Sequence, residues 1–308
     1  MSSLISVAIV LFVVLLGFVS RRLHIFDAVN IKIINNIVAK FLFPIIVCVS
    51  LMFTTFTINN LILTGIFFSI LLFTFLLGFL VKKPFKHKYK NYIPFLLTVW
   101  ECGFIGYPLY SSLVGVDNFY NIITIDIAGL LFGFSIFMAA LEQTSTGRKP
   151  TAKNIILSAL KSGILIATIL GIVLSTSGAG KFIIEKPIGK TIKTISEIVS
   201  NVANLIILIV VGYNITFNKE IIKAATPVIF IRFIVHAICC ATVLLLVNRF
   251  LVVSNELKLA IIIMMSCPPS LSCQAFIKSE DGAKYIATTN SMYCIITLII
   301  YVSLSIII

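Results

Sequence analysis

The chain has 308 residues, of which 59% are hydrophobic and only 11% are charged, and its mean hydropathy is +1.13. Because a soluble domain carries roughly a quarter charged residues, this composition excludes an ordinary soluble protein and predicts an all-α polytopic membrane protein. The formal net charge of +13 does not indicate a nucleic-acid partner, since basic residues of membrane proteins collect in cytoplasmic loops.

Ten apolar segments, separated by short polar joints, are each long enough to form a membrane-spanning helix. The first of them is followed by Arg21 and Arg22 and preceded by no basic residue, which is the reverse of the order in a cleaved signal peptide. We therefore expect it to be a span with its N-terminus outside. In chain order the predicted spans are 4–20, 33–54, 60–81, 92–113, 120–141, 154–176, 195–216, 227–249, 258–277 and 285–307.

The positions of Lys and Arg predict how these spans are oriented in the cytoplasmic membrane. With the N-terminus outside, most of the 24 basic residues lie in inner joints, including the basic loop 82–91, as the positive-inside rule requires. The joint 178–194 is an exception, with four lysines on the outer side, and we expect it to lie amphipathically on the membrane surface. This orientation places both termini outside.

A polar linker at 142–153 divides the spans into five and five. Because each half has an odd number of spans, the second half enters the membrane from the opposite side, which is typical of inverted-repeat transporters. We therefore predict a first inverted repeat at 1–141, a cytoplasmic linker at 142–153 and a second inverted repeat at 154–308.

The fourth span of each half is interrupted by proline and by small or polar residues. The first interruption lies in "WECGFIGYPLYSSLVG" (100–115) and the second in "MSCPPSLSCQAF" (265–276). One such segment alone would indicate a kink. Two segments at corresponding positions of the two halves indicate a transport site.

The chemistry of these residues predicts how the two interruptions are used. Proline removes a backbone donor and starts a helix well, so we expect Pro108 and the pair Pro268 and Pro269 to begin second half-helices. Gly103 and Gly106 would let the two broken segments cross closely. The half-helix N-termini would then meet near the membrane midplane, where their positive ends favour an anion such as a carboxylate.

Four motifs carry a resemblance to a known family: "FLFPIIVCVSLM" (41–52), "GFIGYPLYSSLVG" (103–115), "LIILIVVGYNI" (205–215) and "CPPSLSCQAFIKSEDG" (267–282). Their order and spacing resemble the auxin efflux carrier family of ten-span transporters, whose bacterial members include malate and malonate permeases. The resemblance covers nearly the whole chain. It implies that broken fourth and ninth helices cross at the substrate site and that a transport domain moves like an elevator against a scaffold domain. It also suggests a homodimer.

Members of that family usually carry Asn at the position of Glu101, and in the plant carriers this Asn lies at the substrate site. A carboxylate there repels an anionic substrate unless it is protonated or paired with a cation. The expected substrate-binding residues of this chain are Glu101, Gly103, Gly106, Pro108, Pro268, Pro269, Ser270, Ser272 and Gln274.

Ionisable residues within spans are costly in a bilayer, so each needs a reason. Glu101 either titrates or binds a coupling cation, or it hydrogen-bonds the broken helix ends as a neutral acid. Asp126 either pairs with a lysine or with the break, or faces an aqueous vestibule. His236 either relays protons or packs inside the protein, whereas Arg232 is expected to snorkel to the cytoplasmic surface. Glu101, Asp126 and His236 are the candidates for coupling.

No GxxxxGK[ST] or HExxH motif occurs, so we expect neither nucleotide hydrolysis nor zinc proteolysis, no other enzyme activity, and no cofactor or metal. The sequence predicts a secondary active transporter, a permease or efflux carrier, that moves a small organic carboxylate by alternating access, with H⁺ or Na⁺ as candidate coupling ions. Two alternatives stay open. One is a cation–proton exchanger or sodium-coupled symporter of a related ten-span fold that uses Glu101, and the other is a receptor or scaffold that transports nothing.

Overall fold

A computed structural model describes residues 2–147, 151–251, 253–270, 277 and 279–307. The fold is all-helical, with 84% of residues in helices, and no strand occurs in the part of the chain that is described. The first part forms α1 (Ser2–Arg22), α2 (Ala28–Ile37), α3 (Phe43–Met52), α4 (Ile58–Val81), α5 (Ile93–Leu96), α6 (Tyr107–Val114), α7 (Tyr120–Phe132) and α8 (Met138–Thr146).

Three short π-helical turns interrupt this first part: Val38–Leu42, Cys102–Gly106 and Gly133–Phe137. The first and third lie inside continuous helices, whereas the second precedes α6. The remaining chain forms α9 (Ala152–Leu160), α10 (Gly163–Thr176), α11 (Ala179–Ile184), α12 (Pro187–Asn214), α13 (Lys219–Phe250), α14 (Asn255–Ser266) and α15 (Glu280–Ile307).

Seven helices in the described ranges are long and apolar enough to cross a membrane, which supports a multi-pass membrane protein. Large apolar side chains cover their outer faces, as expected for helices in contact with lipid. The seven are Ile5–Arg22, Ala28–Met52, Ile58–Val81, Tyr120–Thr146, Pro187–Asn214, Lys219–Phe250 and Glu280–Ile307.

The other three predicted spans are not single long helices. In 92–113 helical structure stops after Leu96, in 154–176 it stops between α9 and α10, and in 258–277 α14 ends at Ser266. The second break was not predicted, and it follows from Ser162, which accepts a hydrogen bond from the backbone N–H of Leu165 (3.3 Å) and starts α10 as its N-cap. The count of ten crossings, the inverted repeat and the division at 142–153 stay predictions.

Several helix boundaries differ from those expected; α13, for example, begins at Lys219 rather than at 227. α8 continues into the predicted linker as far as Thr146 and ends at Gly147, whose φ of 71° provides a helix C-cap that favours glycine. α12 begins at Pro187, well before the predicted position 195, because proline fits the first turn of a helix, where no N–H partner is needed. Much of the joint 178–194 is therefore helical.

α1 and α12 pack closely against each other through glycine. A Cβ atom at Gly17 would overlap the carbonyl oxygen of Ile209, and one at Gly212 would overlap the carbonyl oxygen of Val14. The two backbones are therefore in direct contact, as glycine permits at membrane helix interfaces.

Candidate functional site

The two interrupted segments lie against each other and are joined by backbone hydrogen bonds. The N–H of Glu101 donates to the carbonyl oxygen of Pro268 (2.8 Å), and the N–H of Ser270 donates to the carbonyl oxygen of Val99 (3.0 Å). Together they form a short antiparallel bridge that satisfies one backbone N–H group and one carbonyl group of each segment. The structure thus brings the described parts of the two predicted segments into contact, and we call this paired region, 97–101 with 267–270, the crossing.

The α-helical part of the second half-helix, α6, begins at Tyr107 with Pro108 in its first turn, close to the predicted start, but a π-helical turn from Cys102 precedes it without a break. Glu101 is the N-cap, and its Oε1 accepts a hydrogen bond from the N–H of Phe104 (3.4 Å). A carboxylate beside unpaired N–H groups is a stronger start signal than proline one turn later. Pro108 lies inside the half-helix, where the π-helical turn before Tyr107 accommodates it.

The predictions for the second segment concern residues on both sides of position 270. Pro268 and Pro269 lie at the crossing, but any half-helix after them would fall at 271–276. That range, with the predicted binding residues Ser272 and Gln274, lies outside the described residues.

The two glycines serve different contacts. A Cβ atom at Gly106 would lie 3.0 Å from Sγ of Cys267 and 3.1 Å from Sγ of Cys102, so Gly106 permits close approach of the two segments as predicted. A Cβ atom at Gly103 would instead lie 3.1 Å from the ring of Phe43. The expectation that Gly103 also serves the crossing is wrong, because it faces α3.

A cavity of about 360 Å³, here called the central cavity, lies beside the crossing. All three π-helical turns contribute to its lining. Such turns are rare in proteins overall, but those that occur are often found at functional sites. Among the other groups of its lining are two carboxylates, two lysines and the serine hydroxyl of the crossing. These are Glu101, Asp126, Lys40, Lys161 and Ser270.

Asp126 is buried and is tied to the broken segment. Its Oδ2 accepts a hydrogen bond from the hydroxyl of Tyr107 (2.8 Å), at the start of α6. Asp126 was expected to pair with a lysine or with the interrupted segment, and its hydrogen-bond partner in the structure, Tyr107, belongs to the interrupted segment. Lys40 and Lys161 line the same cavity and are exposed.

A larger cavity of about 740 Å³, the basic vestibule, reaches the other side of Glu101. Two basic residues, Arg21 and Lys32, line it, together with Pro268 at the crossing. Four amide side chains add hydrogen-bonding groups that suit a polar solute: Asn35, Asn36, Asn214 and Asn290.

Asn290 is the functional candidate that the sequence analysis missed. Its side chain is 5% exposed, and neither its Oδ1 nor its Nδ2 has a hydrogen-bond partner within the described structure. Buried polar groups are normally satisfied, so an unpartnered amide beside a cavity makes Asn290 a candidate for contact with a solute. The available signal was an amide one third of the way along an apolar span.

Arg232 and His236 are both buried at the crossing. The predicted snorkelling of Arg232 is wrong, because its guanidinium is directed inward and donates to backbone carbonyl oxygens of both interrupted segments. The ring nitrogens of His236 lie 3.0 Å from the carbonyl oxygen of Leu97 and 3.2 Å from that of Met265. His236 lines neither cavity, which favours the packing alternative for it over a proton relay.

Among the residues described, no group of three or more His, Cys, Asp or Glu side chains is placed to hold a metal ion. A family model described as a membrane transport protein matches residues 2–308. No curated protein matches the chain significantly.

Proposed function

Because the chain belongs to the auxin efflux carrier-type family of membrane transport proteins, we propose that it is a secondary active transporter of a small organic carboxylate in the cytoplasmic membrane. The observation that carries this proposal is the basic vestibule, which ends at the crossing. Arg21 and Lys32 attract an anion, and the unpartnered amide of Asn290 can donate to its oxygens.

Alternating access needs a site that is open to one face and closed to the other. The basic vestibule reaches the crossing from the face that carries Arg21 and Lys32. A smaller pocket of about 210 Å³ lies near the N-terminal end of α12, and there Nζ of Lys193 lies 2.8 Å from Oδ1 of Asp117. This arrangement supports a state that is open on the basic face. Elevator-like movement and a homodimer stay predictions.

Glu101 lies between the central cavity and the basic vestibule and is the natural coupling residue. While it is ionised, its carboxylate caps the half-helix at Phe104 and repels an incoming anion. We therefore propose that Glu101 carries a proton when the carboxylate substrate binds. Proton movement would then accompany substrate movement.

The experiment is uptake into liposomes of phosphatidylethanolamine and phosphatidylglycerol that contain the purified full chain. Radiolabelled malate and malonate are the probes, with imposed pH or sodium gradients. The wild-type protein should accumulate one of them under a pH gradient, and Glu101→Gln should keep exchange flux while losing the response to the gradient.

Asn290→Ala supplies the second arm. Losing one or two hydrogen bonds of about 0.5–1.5 kcal/mol each should raise KM roughly tenfold. The matched control is Asn248→Ala, at an exposed position of α13, which should leave KM unchanged. Equal KM values for the two variants would contradict a substrate contact at Asn290.

Cation–proton exchange is the second candidate function. It is favoured by one observation, that Glu101 and Asp126 line the same cavity, because carboxylate oxygens are good ligands for small cations. Robust sodium–proton exchange in the same liposomes, without flux of any organic acid, would replace the first proposal with this one.

A further inference from the structure

The crossing leaves several backbone carbonyl groups without helical partners. α5 ends at Leu96 and α14 ends at Ser266. The backbone carbonyl groups at and after these helix ends therefore have no following helical turn whose N–H groups could donate to them. Such groups carry negative partial charge. In a membrane interior they must be satisfied by the protein itself.

One side chain of α13 reaches the carbonyl groups of both segments. Nη1 of Arg232 donates to the carbonyl oxygens of Leu96 (2.6 Å) and Thr98 (3.4 Å), and Nη2 donates to that of Cys267 (3.0 Å). Its side chain is 1% exposed, and its Cζ lies 5.0 Å from the ring centroid of Tyr293. The planar guanidinium thus spans the two interruptions as a rigid fork.

His236 lies one turn further along α13 and faces the same two segments. Its Nε2 approaches the carbonyl oxygen of Leu97 and its Nδ1 that of Met265. A neutral imidazole donates through only one nitrogen, so His236 holds one segment at a time. Arg232 holds both.

We propose that Arg232 is the positioning residue of the crossing. Its positive charge balances the negative carbonyl ends of both interrupted segments, and its fork sets the distance between them. The position of Glu101 between the two cavities depends on this distance. Arg232 lines neither the central cavity nor the basic vestibule, so it acts whichever solute the protein carries.

The only tryptophan of the chain, Trp100, reports on this geometry. It pairs with Pro269 across the crossing and is 3% exposed. Its ring contacts those of Phe67 (centroids 5.9 Å apart) and His236 (6.4 Å). Separation of the two segments would admit water or a quencher to the indole, whereas loss of structure elsewhere would leave its emission unchanged.

The experiment measures Trp100 emission and its quenching by acrylamide in the purified full chain, embedded in lipid nanodiscs without added substrate. Arg232→Gln removes the charge and part of the fork, and Arg232→Lys keeps the charge at a single point. The matched control is Arg249→Gln, on an exposed position of the same helix. Far-UV circular dichroism reports the helix content of each variant.

We expect Arg232→Gln to raise the quenching constant at least about threefold with a red-shifted emission, and Arg232→Lys to give an intermediate value. Arg249→Gln should match the wild type. A helical Arg232→Gln protein with wild-type quenching would overturn the proposal. If Arg232→Gln does not fold, Arg232→Lys decides, because wild-type quenching in that variant would show that the two-sided fork is not needed.

A transport measurement separates this role from substrate binding. Arg232→Lys should lower Vmax for labelled malate or malonate about tenfold or more, and it should also remain impaired in exchange flux, which Glu101→Gln keeps. Because the Trp100 measurement needs no substrate, it can fail while the proposed function stands, and it can succeed if the protein carries a different solute.

Discussion

Replacement of Gly212 by alanine should destabilise the protein by forcing α1 and α12 apart. The new Cβ atom would overlap the carbonyl oxygen of Val14 and lie 3.0 Å from the backbone nitrogen of Phe18. Both are backbone atoms, so no side-chain rotation relieves the overlap. The opposite case is Gly65 of α4, where an added Cβ meets no atom within 4 Å.

The magnitude follows from two opposing effects. Overpacking a tight contact costs about 1–3 kcal/mol, and a backbone contact belongs at the upper end. Alanine is favoured over glycine in a helix interior by about 1 kcal/mol. Gly212→Ala should therefore lower the free energy of unfolding by about 2 kcal/mol, whereas Gly65→Ala should raise it by up to about 1 kcal/mol.

Thermal unfolding of the detergent-purified chain checks this, with a dye that reacts with cysteines as they become exposed. Cys102, Cys267 and Cys294 are buried and free, so the dye reports loss of the core. At about 2 °C per kcal/mol for a chain of this size, Gly212→Ala should melt about 4 °C below the wild type and Gly65→Ala about 2 °C above it. A melting temperature for Gly212→Ala that equals or exceeds that of Gly65→Ala would refute the α1–α12 contact.

Two further predictions use the same melting assay. Tyr107→Phe removes the donor to the buried carboxylate of Asp126 and should lower Tm by about 4 °C, from a loss of about 2 kcal/mol, whereas Asp126→Asn should cost less because its amide oxygen still accepts. Outside the spans, a hydrogen bond to Asp281 raises the pKa of Lys88. A lysine whose pKa is higher in the folded than in the unfolded protein stabilises the fold fully at pH values below its unfolded pKa of about 10.4. This stabilisation is lost as the pH rises through the pKa of the folded state. The Tm difference between the wild type and Lys88→Gln should therefore be constant from pH 7 to 9 and shrink towards pH 11, and a difference that grows with pH would contradict the pairing.

Apolar periodicity and length predicted the continuous helices well, because lipid-facing helices depend on local composition. The segment predicted at 60–81 is the helix Ile58–Val81. The break at Ser162 was missed because one capping serine within an apolar run is a weak signal. The early start of α12 at Pro187 was missed because a single proline in a polar joint is also a weak signal.

The partners of polar residues inside the fold could not be predicted in the same way. Arg232 was expected to snorkel because it lies in the first half of its predicted span, and its acceptors at Leu96 and Thr98 are remote in sequence. The sequence around Asn290 does not show that this residue lines a cavity, because the other lining residues come from parts of the chain remote in sequence. Long-range contacts determine the role of each, so local sequence pattern carries little information about it.

The crossing changes how an anion could be recognised. The expected site used bare N–H groups at a half-helix N-terminus, but in this chain the carboxylate of Glu101 already accepts from that terminus at Phe104. A substrate carboxylate would compete with Glu101 for the same donors and be repelled by its charge. Under the proposed function, recognition therefore falls to Asn290 and the basic residues of the vestibule, and protonation of Glu101 becomes the condition for the substrate to reach the crossing.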